Sequence, residues 1–128
     1  MTNSRTKGRA GEQEVCRILR DELGIEVHRN WQEQAFHGGV DILGIEGWAI
    51  EVKRAKEYRN DWWIQAAQQG IKKAFRTKNP DEKAVLIYRL DRQDWKARMC
   101  LCAIHNYDIH GQVEMDLKTW ISIVRESI

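Results

Sequence analysis

Apolar and polar positions change period several times along this chain, and each change marks an element. Over residues 7–23, Val15, Cys16, Ile18, Leu19 and Leu23 recur at helical spacing, and Gly24 stands where a glycine commonly ends a helix. "IEVHRN" (25–30) reads as a strand, and a polar stretch "WQEQAFHGG" leads from it to a hairpin. The hairpin, "VDILGIEGWAIEVKRA", has two apolar runs around a tight turn. After the loop "EYRN", Asn60 or Asp61 is placed to cap a helix running to about Lys78. On that helix Ile64, Ala67, Gln68, Ile71 and Phe75 form an apolar stripe, expected to face inward. "KNPDE" is a turn, "KAVLIYRL" (83–90) and "KARMCLCAIH" (96–105) read as strands, and Asp116 is expected to cap a last helix through Glu126. Leu117, Trp120, Ile121 and Val124 share one face of that helix. The order α-β-β-β-α-β-β-α implies an α/β fold, one mixed central β-sheet with helices packed on it.

Charges inside the apolar pattern are the first sign of chemistry. Along "WAIEVK", strand alternation puts Trp48, Ile50 and Val52 on one side and Ala49, Glu51 and Lys53 on the other. A two-residue turn at Glu46-Gly47 would set Asp41 opposite Val52, on the wrong face. A three-residue loop, Ile45-Glu46-Gly47, pairs Gly44 with Trp48 and sets Asp41 opposite Glu51. Such loops favour a left-handed last residue, and Gly47 supplies it, so the second register is adopted. On the first helix, Glu12 lies one turn before Val15 and Cys16, on or beside the core-facing stripe. A carboxylate leaning inward needs a cation, a metal or a hydrogen-bond network, although an acid near a helix N-terminus is also favoured by the dipole alone.

Composition changes this picture little. The 128 residues are 42% apolar and 31% charged, as in ordinary soluble globular proteins, and suit one domain. The net charge of +2 does not by itself imply nucleic acid. Its distribution is more telling. Residues 1–9 form a basic arm with Arg5, Lys7 and Arg9 and no acid, and "KKAFRTK" carries Lys72, Lys73, Arg76 and Lys78. Such clusters, together with Arg54, suit a polyanion, though solvated surface charge explains any one of them as well. Cys16, Cys100 and Cys102 are an odd number and read as reduced thiols of a cytoplasmic protein. The first residues lack the apolar region of a signal peptide, and no apolar run approaches a membrane span. Cys100, Cys102, His105 and His110 could be read as zinc ligands, but on a strand His105 points away from the thiols, and buried thiols are the simpler account. Trp48 and Trp120 fit core faces; Trp31, Trp62 and Trp63 are the candidates for stacking on bases.

Two carboxylates facing each other repel unless something positive lies between them. Lys53 is one candidate, and a hard divalent cation is the other. Such a cation polarises a phosphate and acidifies water, while a lysine ammonium beside it steadies developing charge: the chemistry of phosphodiester hydrolysis. E-x-K alone is common by chance; an upstream Asp on the partner strand and an inward Glu on a preceding helix make the coincidence rarer.

The set "KGRAGE", "VD" then "EVK", and "WWIQAAQQ" resembles the PD-(D/E)XK nuclease superfamily, with the closest likeness to phage-borne and archaeal Holliday junction resolvases and related phage endonucleases. The resemblance spans about residues 7–98, "LIYRLDRQDW" included. It implies a restriction-endonuclease-like core and an active site of Glu12, Asp41, Glu51 and Lys53 using Mg²⁺ or Mn²⁺. Asp41, Glu51 and the backbone carbonyl of Val52 would be direct ligands, and Glu12 would act directly or through water. It implies a catalytic role for Gln65 in "WWIQA", although on helical geometry alone Gln68 is an equal candidate. Val40 departs from the family's usual proline, and "FHGG" departs from the serine that archaeal members carry before glycine, leaving His37 in that neighbourhood. The activity implied is an endodeoxyribonuclease acting on four-way DNA junctions as a homodimer, with Arg5, Lys7, Arg9, Arg54, Lys72, Lys73 and Arg76 near backbone phosphates. A restriction-like or repair nuclease acting on duplex, flap or single-stranded DNA shares the same motif. A non-catalytic DNA-binding module is the alternative from another class.

Overall fold

A computed structural model describes residues 4–30, 40–104 and 111–127. Its elements are α1 (Ser4–Leu23), β1 (His28–Arg29), β2 (Ile42–Leu43), β3 (Trp48–Ala55), α2 (Asp61–Thr77), β4 (Lys83–Leu90), β5 (Lys96–Cys100), a short 3₁₀ turn (Leu101–Ala103), β6 (Gln112–Asp116) and α3 (Leu117–Ser127). The six strands form one sheet in chain order, β1-β2-β3-β4-β5-β6. β3 and β4 run parallel, Ile50 beside Val85 and Glu51 beside Leu86. Every other pair is antiparallel. The chain is therefore α/β with a mixed sheet, and α2 makes the crossover that a parallel pair needs.

The two sheet faces are covered differently. On one, Val15, Cys16 and Leu19 of α1 and Leu117, Trp120, Ile121 and Val124 of α3 bury against Ile50, Val52, Val85 and Ile87. Trp48 meets Trp120 edge to face with ring centroids 5.3 Å apart, so both fill the core as their positions imply. On the other, Trp62 and Ala66 of α2 pack on Leu86 and Tyr88. Gly70 brings α2 down onto β4; a Cβ there would stand 2.9 Å from that of Ala84.

Several expectations need correction. α1 begins at Ser4, so the basic arm is mostly helix: Arg5, Lys7 and Arg9 lie in its opening turns. β1 is only His28–Arg29 rather than 25–30. β5 stops at Cys100, where the chain turns, and β6 adds a strand that the short polar run "QVEMD" had concealed. Cys100 and Cys102 form a disulfide, not a pair of reduced thiols, while Cys16 is free and buried. Asn60 precedes α2 without a side-chain capping bond. Asp116 does cap α3, its Oδ1 accepting from the Thr119 N–H at 2.7 Å. The largest reversal is on α2. The side it buries carries Trp62, Ala66 and Gly70, whereas Ile64, Ile71 and Phe75 of the expected inward stripe are exposed. None of the described helices is long and apolar enough to cross a membrane.

Candidate active site

The hairpin register decides what the charges can do. β2 pairs with β3 with Ile42 opposite Ile50, the alignment of the three-residue loop. Gly47 is left-handed at φ 86°, as that loop requires, and Gly44 adopts φ 117°. Continued by one residue, this register sets Asp41 opposite Glu51. At Asp41 the strand gives way to a side-chain contact: the carboxylate Oδ2 accepts the Val52 N–H at 2.7 Å. In an extended strand the N–H and C=O of one residue leave on the same edge, so the Val52 carbonyl points towards Asp41 as well.

Asp41 and Glu51 are both buried, 8% and 7% exposed, among apolar neighbours. Burial first, and the Glu51 charge second, push the Asp41 carboxyl well above the usual carboxylate range; the Val52 N–H opposes them. Burial raises Glu51 too, against the pull of Lys53 and of a hydrogen bond with Asp41. Glu12 adds repulsion at both. The pair thus tends to keep a proton. Lys53 Nζ stands 3.6 Å from Glu51 Oε1 and is 28% exposed, so the ammonium reaches solvent where the carboxylate does not. Glu51 Oε2 is buried with no hydrogen-bond partner. A buried anionic oxygen in that condition costs free energy until a cation or proton reaches it.

Glu12 comes from α1, half-buried, and its Oε1 accepts from Arg29 Nε at 3.1 Å. This ion pair was not foreseen. Asn30, next along, was also missed: it is 3% exposed, its amide donates to the Val40 carbonyl at 2.9 Å, and its N–H to the Asp41 carbonyl at 2.9 Å. Its Oδ1 is buried and unpartnered. The signal available beforehand was an Arg-Asn pair closing a strand just before the polar stretch. Together Arg29 and Asn30 tie β1 to Glu12 and to the Asp41 backbone.

The four charged residues share one electrostatic neighbourhood without forming a closed cage. Among the described residues no three His, Cys, Asp or Glu side chains are arranged as a metal cluster. Arg29 engages Glu12, and one Asp41 oxygen is committed to Val52. The donors present still fit a hard cation by type: two buried carboxylates, one with an orphaned oxygen, and a backbone carbonyl on the same edge.

The remaining candidates divide. Gln65 is half-buried and donates to Asp61 Oδ2 at 3.3 Å, not to the acids; Gln68 is exposed. Lys7 pairs with Asp91 at 2.9 Å, and Arg54 and Lys56 also lower the Asp91 carboxyl, so a positive cluster gathers where β3 ends. Arg9 and Lys72 are exposed. Lys73 is structural: it donates to the Trp48 carbonyl at 2.8 Å and pairs with Glu82 at 3.3 Å. Arg76 is exposed on α2. Trp62 is buried against Tyr58 and Tyr88 and has no face to offer a base, whereas Trp63 is half-buried. Trp31, His37, His105 and His110 lie outside the described residues. Comparison with protein-family models, curated proteins and solved structures found no match.

Proposed function

We propose that the protein is a metal-dependent DNA endonuclease with a restriction-endonuclease-like core, hydrolysing phosphodiester bonds and resolving branched DNA such as four-way junctions. The observation that carries this reading is the buried Asp41–Glu51 pair, with an unpartnered carboxylate oxygen and the Lys53 ammonium beside it. Burying two acids together is unfavourable for folding, and a cation bound between them would offset that cost. Asp41, Glu51 and the Val52 carbonyl would hold Mg²⁺ or Mn²⁺, with Glu12 released from Arg29 or acting through water. When bound, the ion polarises a phosphate and acidifies water. Lys53 donates hydrogen bonds to an attacking water or a phosphate oxygen, and its charge offsets that which builds on the phosphorus centre. Arg9, Arg54 and Lys72 supply positive charge for the DNA backbone, and Arg29, once free of Glu12, adds to it.

The test sets the parent chain, Glu51→Gln and Lys53→Ala against matched four-way junction, flap and linear DNA, in Mg²⁺ and in EDTA. The parent is expected to make paired nicks in the junction only with the metal. Both variants are expected to lose cleavage by at least about a hundredfold while binding the junction nearly as tightly. Equal cutting of all three substrates would reassign the substrate to ordinary duplex or flap DNA. Binding with no cutting under any metal would make the protein a DNA-binding module.

A further inference from the structure

The disulfide between Cys100 and Cys102 spans a single intervening residue, Leu101. A bond that closes so short a loop removes little freedom from the unfolded chain, so it supports the fold only weakly. The turn it spans is secured without it. The Leu101 N–H donates to the Gly111 carbonyl at 2.7 Å, and the Ile104 N–H to the Leu101 carbonyl at 3.0 Å. Neither cysteine is sealed in the core. Both are half-buried and, with Trp63, Ala67, Ile71 and Ala74 of α2, line a groove of about 1020 Å³ that opens to solvent. That space admits a thiol the size of a tripeptide.

We infer that Cys100 and Cys102 are a reversible dithiol–disulfide couple, exchanging two electrons with low-molecular-weight thiols and their disulfides that enter the groove. Hydrogen bonding makes the two sulfurs unequal. Cys100 Sγ accepts the Cys102 N–H at 3.2 Å. Negative charge is steadied there, so Cys100 is the better leaving sulfur and Cys102 the one attacked. An incoming thiolate bonds to Cys102 Sγ, the bond between the two cysteines breaks, and its electron pair leaves with Cys100. A second thiolate then attacks the incoming sulfur, which forms the small disulfide and frees Cys102. The two protons shed by the thiols pass through water to the cysteines. The reverse sequence, with a small disulfide as oxidant, closes the pair and releases two thiols. Cys16, buried in the core with its thiol pushed up to about 11 by burial, takes no part. The inference is independent of the nuclease reading, since neither DNA nor divalent metal enters its test.

Iodoacetamide labelling of the full native chain, read by mass spectrometry, tests the couple directly. After incubation with oxidised glutathione the chain is expected to take no label. After dithiothreitol it should take two, on Cys100 and Cys102, and in urea a third, on Cys16. Oxidised glutathione added back should return at least about nine-tenths of the pair to the disulfide rather than to glutathione adducts, because the second cysteine is always at hand. Circular dichroism of the reduced chain should match that of the oxidised one. At pH 7, Cys100 in the Cys102→Ser variant should alkylate at least about threefold faster than Cys102 in the Cys100→Ser variant. A pair that dithiothreitol opens only once urea has unfolded the chain overturns the inference in favour of a structural bond. Two thiols that label despite oxidised glutathione overturn it as well. Equal alkylation rates, or a faster Cys102, overturn the choice of Cys100 as the leaving sulfur.

Discussion

Asp41 and Glu51 hold the sharpest local conflict in the molecule. Each is buried, and burial above all raises each carboxyl above its ordinary value. For a group whose folded pKa lies above its unfolded one, the native state binds the extra proton. Stability from this pair is therefore greatest at low pH and falls as pH rises through the folded values. Neutral isosteres remove that loss, and the amide oxygen of Asn can still accept the Val52 N–H. In EDTA, Asp41→Asn and Glu51→Gln are expected to melt several degrees above the parent at pH 7 to 8, with the gap closing near about pH 4, where unfolded carboxyls also protonate. Adding Mg²⁺ should raise the parent's midpoint and leave the Asp41→Asn midpoint unmoved, since only a ligand of the native state stabilises it. Variants less stable than the parent at neutral pH would show that the pair is satisfied as it stands.

At the scale of elements, the candidate site depends on a very short piece of sheet. β2 has only two residues, and the turns on either side of it do the aiming. Gly44 is the tightest point: its φ is 117°, and a Cβ would fall 2.3 Å from the Glu26 carbonyl oxygen. Gly44→Ala is expected to cost about 2–4 kcal/mol, combining backbone strain with overpacking, as read from urea unfolding. Gly8, in α1 with open space around it, is the control: Gly8→Ala should stabilise by about 0.5–1 kcal/mol. The same scale shows where sequence patterning stops. α2 has two apolar faces, and periodicity alone ranks the Ile64-Ile71-Phe75 face first because its side chains are larger. The face that packs is the one whose small residues, Ala66 and Gly70, admit close approach to β4.

Across the whole molecule, the basic clusters separate into charges that hold the fold and charges free to meet a partner. Lys73 is used internally, tied to the Trp48 carbonyl and the nearly buried Glu82. Lys72, its neighbour, is exposed. Lys73→Ala is expected to destabilise the fold by about 1–3 kcal/mol, since it strands a buried acid. Lys72→Ala should leave stability unchanged, weaken junction and duplex binding alike, and lower the slope of log K against log salt by about one. Fluorescence anisotropy over a salt series reads both. A flat salt response of the parent would contradict phosphate-backbone binding.

Much of this molecule was legible in its residues because the relevant physics is local. The left-handed turn at Gly47 and the two-residue alternation of β3 bring Asp41, Glu51 and Lys53 to one region, and both follow from short-range backbone preferences. The end of α1 at Gly24, the span of β4 and the Asp116 cap are local in the same way. What only tertiary structure decided are the pairings between residues distant in sequence. Arg29 closes on Glu12 across 17 positions, Lys73 on the Trp48 carbonyl across 25, and β6 becomes a strand because β5 offers it an edge. No periodicity encodes such partners, since each is chosen by which surfaces meet when helices dock on the sheet. The same docking turned the larger apolar face of α2 outward.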